Sequence, residues 1–233
     1  MILNMKLFHV FILGLILLAA CKPDVLKKPA SQADYYGLKV GRHYIYNADS
    51  IQYSGNANYP NDTIHYQLKD SIESSYKDQT GQTAYRIYEY RRNTSSMPWQ
   101  YVRVFSRTSN SAGATETDDN ITYLKLIYPI VMNESWNPDK YNTTDSFGNY
   151  LSQYIQINTP ATISNLKFDS TVYVQIQNEL NLVDTFRYYE RYAANVGLVF
   201  MEHDSDFINK QQPHPDFNTG YRLKYTLIDY GPR

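Results

Sequence analysis

The segment IHYQLKDSI, residues 64–72, carries the pattern that decides the fold. Aliphatic and aromatic side chains alternate there with polar ones, at Ile64, Tyr66, Leu68 and Ile72. Because successive side chains of a strand point to opposite faces, a period of two predicts a half-buried antiparallel strand. The same alternation recurs at residues 172–176 and 221–227. This recurrence predicts several strands along the chain.

Similar segments follow one another along most of the chain. We predict ten strands, near residues 43–54, 62–76, 83–92, 99–107, 121–131, 151–157, 171–177, 185–192, 197–203 and 221–229. Stretches rich in turn-forming residues separate them, at residues 78–82, 109–120 and 137–149. Consecutive strands joined by short connections tend to pair with each other. The sequence thus predicts an all-β protein, an antiparallel meander of about ten strands that closes into a barrel or a half-open barrel.

Two segments carry conflicting signals. Pro129 lies inside an apolar segment, and since proline has no N–H to donate to a ladder, we expect an edge strand or a bulge there. Apolar side chains near residues 182–196 would also line one face of a helix, at Leu182, Phe186, Tyr189, Ala193 and Val196. We favour a strand, because Asn195 and Gly197 supply turn chemistry before the next apolar run.

The single cysteine, Cys21, follows an apolar segment near the start of the chain. The run from Leu7 to Ala20 has 14 residues, whereas a membrane-spanning helix needs about 20. This length predicts a signal peptide at residues 1–20. The sequence LAAC at residues 18–21 resembles the bacterial lipobox. That resemblance implies cleavage before Cys21 and lipidation of its sulfur and its new amino terminus.

The rest of the chain divides into a tether and one β domain. Residues 21–34 mix Pro, Lys, Ser and Ala without periodicity, which is typical of a linker, and residues 35–233 hold all the predicted strands. By resemblance to other lipoproteins, Lys22 in place of an aspartate after the cysteine implies the outer membrane. Residues 22–24 lack the acidic run found in surface-exposed relatives, so we expect an orientation towards the periplasm.

Residues 35–53, YYGLKVGRHYIYNADSIQY, contain the element L-x-V-G-x-x-Y-x-Y-x-x-D-S. This element, with LIYP and NESW at residues 126–136 and ERYAANVGLVFMEHD at residues 190–204, resembles a family of small outer-membrane lipoproteins of the Bacteroidota. The resemblance implies a β domain at the outer membrane. The family has no assigned activity, so the resemblance implies no catalytic residue.

Sequence motifs of catalysis are absent from the chain. Neither G-x-S-x-G, H-E-x-x-H, a phosphate-binding loop nor C-x-x-C occurs. Residues 202–216 hold the one acidic and histidine-containing stretch that could bind a metal, with Glu202, His203, Asp204, Asp206, His214 and Asp216. Since loops collect such residues for solubility alone, we interpret it as a solvated loop. We expect no enzyme and no cofactor; a metal-dependent hydrolase is the alternative.

Three tripeptides begin with an acidic residue and continue with Ser or Thr and isoleucine, at residues 49–51, 62–64 and 70–72. They resemble the acceptor pattern for O-glycosylation in the Bacteroidota. The resemblance implies glycans at Ser50, Thr63 or Ser71. Modified side chains would have to face solvent.

Charge and aromatic content restrict the range of partners. The chain has 22 basic and 23 acidic residues without a basic cluster, which argues against nucleic acid. Trp99 and Trp136 are candidates for stacking on sugars, although we favour core packing for both.

The combined features predict a non-catalytic outer-membrane lipoprotein, attached through its lipid, that binds a small apolar or glycan ligand or another envelope protein. A structural or assembly role without a small ligand is an alternative. A hollow barrel would favour ligand binding, and a filled barrel with an exposed aromatic patch would favour a protein partner.

Overall fold

The computed structural model describes residues 32–55, 61–143, 150–180, 184–208 and 218–232. A 3-10 helix, Gln32–Tyr35, precedes twelve β-strands. The strands are β1 (His43–Ser54), β2 (Asp62–Lys77), β3 (Thr83–Arg92), β4 (Gln100–Ser109), β5 (Gly113–Asp118), β6 (Ile121–Ile127), β7 (Ser135–Trp136), β8 (Ser152–Ile163), β9 (Leu166–Leu180), β10 (Asp184–Ala193), β11 (Gly197–Ile208) and β12 (Asn218–Gly231). Within the described ranges, no helix has the length and apolar character needed to cross a membrane.

The twelve strands form one antiparallel sheet that curls into a nearly closed barrel. Their order is β6-β5-β4-β3-β2-β1-β12-β11-β10-β9-β8-β7. Strands adjacent in sequence therefore pair with each other, except β6 and β7, which form the two edges of the sheet, and β1 also pairs with β12. The pairing of β1 with β12 thus joins the half of the sheet formed by β1 to β6 to the half formed by β7 to β12. The predicted all-β meander that closes into a barrel is confirmed, with twelve strands instead of about ten.

Two strands were not predicted, and one was predicted too long. β5 lies within residues 109–120, which we expected to be a turn. Its sequence GATETD shows no apolar alternation, because Glu116 faces a polar interior. β7 has only two residues. β6 ends at Ile127, so Pro129 lies beyond the end of this edge strand and not within it.

The ambiguous segment near residue 186 is a strand. β10 covers Asp184–Ala193 and pairs with β9 and β11 along its length, which confirms the strand prediction; Leu182 lies outside the described residues. The turn predicted at residues 78–82 is also confirmed. Asp78 Oδ1 accepts hydrogen bonds there from the backbone N–H groups of Thr80 and Gln82, at 2.8 and 2.9 Å.

The remaining gap in the barrel, between β6 and the region of β7 and β8, is bridged largely by side chains. Trp136 Nε1 donates to Leu124 O at 2.8 Å, and Tyr154 OH donates to Ile127 O at 2.7 Å. Asn142 Nδ2 donates to the carbonyl oxygen of Thr122 at 3.0 Å. These bonds satisfy edge groups of β6 that no strand pairs with. They also confirm core packing for Trp136, which is buried.

The apolar core follows the predicted alternation. Val172, Val174 and Ile176 are all buried, as are Leu68 and Ile72 of the opening segment. Ile64, on the same face of β2, is 42% exposed, because the strand extends past the core at that end. Full burial of each such aliphatic side chain contributes about 1.5–3 kcal/mol.

Residues 34–38, which we call the plug, cross one end of the barrel. Tyr35 OH lies 2.7 Å from Ser170 Oγ in β9, and Tyr36 OH donates to Thr115 O in β5 at 3.2 Å. The N–H of Asn195, in the β10–β11 turn, donates to Asp34 O at 2.8 Å. Contacts with strands on different sides of the barrel show that the plug closes this end. Of the predicted tether, residues 21–34, only 32–34 are described.

Candidate functional site

The barrel encloses a cavity of about 210 Å³, which we call the lumen. Side chains of β1 to β6 and β10 to β12 line it, and Tyr36 of the plug lies at its closed end. The wall becomes more exposed away from the plug, from 11% at the side chain of Arg107, near the plug contact at Thr115, to 43% at Arg103. The opening therefore lies at the end opposite the plug. A cavity of this size is smaller than the roughly 300–1,000 Å³ of sites for drug-sized ligands, so it suits a smaller molecule.

Arg107 of β4 is at the centre of the first group of charges in the lumen. Its Nε donates to Glu116 Oε2 at 2.8 Å and its NH2 group to Asp70 Oδ2 at 3.3 Å. Burial alone would lower the pKa of Arg107, but the two carboxylates raise it well above its ordinary value. Burial raises the pKa of Asp70 to about 7 in spite of Arg107, while Arg107 and Lys125 overcome burial and lower the pKa of Glu116.

A second arginine, Arg103, lies four residues earlier on the same face of β4. Its Nε and NH2 groups donate to the two carboxylate oxygens of Glu89, both at 3.1 Å, and its NH1 group donates to Asp118. A fork of two parallel hydrogen bonds fixes the guanidinium plane. The side chain of Arg103 is 43% exposed against 11% for Arg107, so this second group lies closer to water.

Lys125 of β6 forms the third group across the lumen with Glu190 of β10. The two side chains form an ion pair, and Tyr188 OH and Tyr192 OH donate to Glu190 at 2.8 and 2.5 Å. Burial would lower the pKa of Lys125, but Glu190 and Glu116 raise it above its ordinary value. Burial raises the pKa of both tyrosines well above its ordinary value, so both hydroxyls keep their protons.

Aromatic faces complete the wall. The His203 ring stacks on Tyr188 with centroids 4.6 Å apart and an angle of 6° between the planes, and Tyr221 meets His203 edge-on at 5.1 Å. Burial lowers the pKa of His203, so the imidazole is neutral at pH 7. The lumen thus combines flat ring faces with ionised side chains.

The charged groups of the lumen were not recognised from the sequence. Asp70 occupies the inward position between Leu68 and Ile72, and Glu89 follows Ile87 on the inward face of β3. A charged residue in register with an apolar face was the available signal. The sequence could not show that these positions from distant strands meet, because the partners are fixed by strand order and curvature.

The acidic stretch at residues 202–216 does not form one cluster where it is described. β11 continues to Ile208, so the loop interpretation is wrong for residues 202–206. Glu202 faces outwards and accepts a hydrogen bond from Arg222 Nε at 2.9 Å, whereas His203 faces the lumen. Among the described residues no three metal-binding side chains converge. His214 and Asp216 lie outside the described ranges.

The predicted modification sites have different surroundings. Thr63 is exposed on the outer face of β2, Ser71 is half-buried, and Ser50 is half-buried on the face that carries Ala48. Thr63 is thus the most accessible of the three, and glycosylation stays a prediction. Cys21 lies outside the described residues, and its lipidation also stays a prediction.

Trp99, for which we favoured core packing, is half-buried just before β4. The guanidinium carbon of Arg92 lies 4.2 Å from the centroid of its indole ring and Lys69 Nζ lies 5.1 Å away. Trp99 thus makes cation–π contacts with side chains of β2 and β3.

Comparison with known proteins finds two solved structures that align with most of this chain. No protein-family model and no curated protein matches the sequence. One solved structure is a predicted exported protein with a YmcC-like fold from Bacteroides fragilis NCTC 9343, 9% identical, with a TM-score of 0.40. Another is a predicted lipoprotein from Parabacteroides distasonis ATCC 8503, 10% identical, with a TM-score of 0.38. Each alignment covers 84% of this chain and 98% of the other.

Proposed function

We propose that this protein is a non-catalytic lipoprotein of the outer membrane whose lumen binds a small polar ligand. The observation that carries the proposal is the cavity of about 210 Å³ inside the barrel. A barrel filled by side chains, with an exposed aromatic patch, would have favoured a protein partner. Attachment through Cys21 and an orientation towards the periplasm remain part of the proposal.

The chemistry of the wall favours a polar ligand over an apolar one. Asp70, Glu190 and Arg107 are buried in it, and several tyrosines also line it. An apolar ligand would remove water from these groups without replacing its hydrogen bonds, which costs several kcal/mol. A molecule of the size of a monosaccharide offers hydroxyls to the charged groups and a flat face to the aromatic rings.

The position of the plug supports a role in capture. The predicted tether joins the β domain at the plugged end, where Asp34 lies. The opening of the lumen is therefore at the end remote from the attachment point. A ligand approaching from the periplasm would meet the open end without crossing the tether.

We expect Leu223→Trp to abolish ligand binding, because Leu223 lines the lumen and indole would fill much of it. Saturating the wild type with a monosaccharide at about 100 times its Kd should stabilise it by about 2.7 kcal/mol. Thermal melting against a panel of monosaccharides measures this shift. Lys224→Trp, on the adjacent outward position of β12, is the control and should respond like the wild type. A panel without any shift, or an equal shift in Leu223→Trp, would contradict the proposal.

We expect Cys21→Ser to release the protein from the membrane fraction. Stable anchoring requires two or more acyl chains, since each buried methylene contributes about 0.8 kcal/mol and one chain binds only marginally. Fractionation of native host cells, with intact-mass measurement of the mature chain, tests this. Ser31→Ala, also in the predicted tether, should leave the protein membrane-bound. An unmodified thiol in membrane-bound wild-type protein would refute lipidation.

A further inference from the structure

The acidic groups of the lumen outnumber the basic ones. In the described part of the wall and its ion-pair partners, five carboxylates share three cations: Asp70, Glu89, Glu116, Asp118 and Glu190 with Arg103, Arg107 and Lys125. Arg103 and Arg107 each form ion pairs with two carboxylates, and Lys125 forms an ion pair with one. The wall therefore has two more acidic groups than basic ones.

Much of this acidic side is buried. Glu190 is 2% exposed, Asp70 5% and Glu89 7%. A buried carboxylate is costly unless a cation or a proton compensates it. Asp70 can hold a proton near neutral pH, because burial raises its pKa to about 7. The wall of the lumen therefore lacks positive charge, which a ligand could supply.

The aromatic part of the wall also favours a cation. The faces of aromatic rings attract positive charge when the cation lies within about 6 Å of the ring centroid. Lys125 Nζ already lies 5.7 Å from the ring centroid of Tyr188, and His203, which stacks on Tyr188, is a neutral ring. Neither ring repels an incoming cation.

An anionic ligand would find no such compensation. Each of the three cations in the wall is already within ion-pair distance of a carboxylate. A carboxylate or phosphate would have to displace one of these partners and would add to the excess of negative charge. A neutral ligand avoids that cost but supplies no charge.

We infer that the ligand of the lumen carries an ammonium group, whose positive charge is taken by the lumen carboxylates while the rest of the molecule lies against the Tyr188–His203 stack. This inference rests on the proposed function, since it specifies the ligand of the same cavity. The proposed function limits the size of the ligand, and the inference adds the sign of its charge.

Two matched sets of probes test the sign of the charge. The first is glucosamine, glucose and glucuronate, and the second is ethanolamine, ethylene glycol and glycolate. Calorimetry on the full domain at pH 7 should show the amine of each set binding at least about tenfold more tightly than the neutral member, which corresponds to about 1.4 kcal/mol. The acid should bind most weakly.

The outcomes separate the two proposals. A neutral or acidic member that binds as tightly as its amine overturns the inference and leaves the ligand-binding function standing. Absence of binding by all six probes, with no shift from the monosaccharide panel, overturns both. Binding that persists in Leu223→Trp places the site outside the lumen and overturns the inference as well.

Substitutions in the wall provide an independent check. Glu190→Gln keeps the shape but removes a charge, and we expect it to weaken glucosamine binding by about tenfold. Asp118 lies closer to water than Glu190, so Asp118→Asn provides a second test of the same charge effect if Glu190→Gln does not fold. Asp229→Asn, exposed on β12, changes the net charge equally and should leave the Kd unchanged. Equal effects of all three would indicate a general charge effect and contradict a lumen site.

Discussion

Replacing Arg107 with Met lowers the free energy of unfolding by about 3–5 kcal/mol, the cost of breaking a buried ion pair from one side. The substitution retains most of the length of the side chain and removes its charge. It leaves Glu116 and Asp70 facing each other in the lumen without the guanidinium that now bonds both. Urea unfolding at pH 8, followed by tyrosine fluorescence, measures the loss.

Arg103→Met is the matched control on the same strand. Arg103 also bonds two carboxylates, but its side chain is 43% exposed, so water can reach the space that it leaves beside Glu89 and Asp118. We expect a smaller loss there than in Arg107→Met. Equal losses in the two variants would contradict the idea that burial decides the effect.

The pH dependence of the stability of Arg107→Met is a second test of the buried ion pair. Without the guanidinium, burial raises the pKa of both carboxyls above their unfolded values of roughly 4. At these two carboxyls the folded variant then binds more protons than the unfolded chain, so their contribution to its stability is highest below about pH 4 and falls as the pH rises. Adding Asp70→Asn and Glu116→Gln to Arg107→Met should restore most of the loss at pH 8, because no buried charge then lacks a partner.

The fold was largely predictable because the outward face of most strands is polar and the inward face is apolar. Val172, Val174 and Ile176 show this alternation in the sequence and are buried in the barrel. The prediction failed for β5, where Glu116 faces inwards and Thr115 outwards, so that both faces are polar. Alternation identifies a strand only when its two faces differ in chemistry.

The lumen was not predictable in the same way. Asp70, Arg107 and Glu190 each lie on a different strand, and their contacts depend on which strands cross the barrel from one another. A single sequence contains no direct record of that arrangement. The acidic stretch near residue 202 attracted attention because its residues are neighbours in sequence. On a strand, however, neighbours point to opposite faces, which separates His203 from Glu202.

Gly37→Ala should destabilise the domain by about 2–5 kcal/mol and open the floor of the lumen. Gly37 has a φ of +63°, and a Cβ added there would lie 1.9 Å from the backbone oxygen of Val196. The left-handed conformation costs an alanine about 1–2 kcal/mol, and relief of the clash costs roughly 1–3 kcal/mol more. The neighbouring Tyr36 lines the lumen, so a displaced plug should also weaken ligand binding.

Gly41→Ala separates the two costs. Gly41 has a φ of +85°, but nothing lies within 4 Å of the Cβ that would be added there. This variant should therefore lose only the conformational cost of about 1–2 kcal/mol and keep its affinity for the ligand. Thermal melting and calorimetry of both variants make the comparison. If Gly37→Ala were no less stable than Gly41→Ala, the backbone contact between the plug and the β10–β11 turn would not hold the end of the barrel closed.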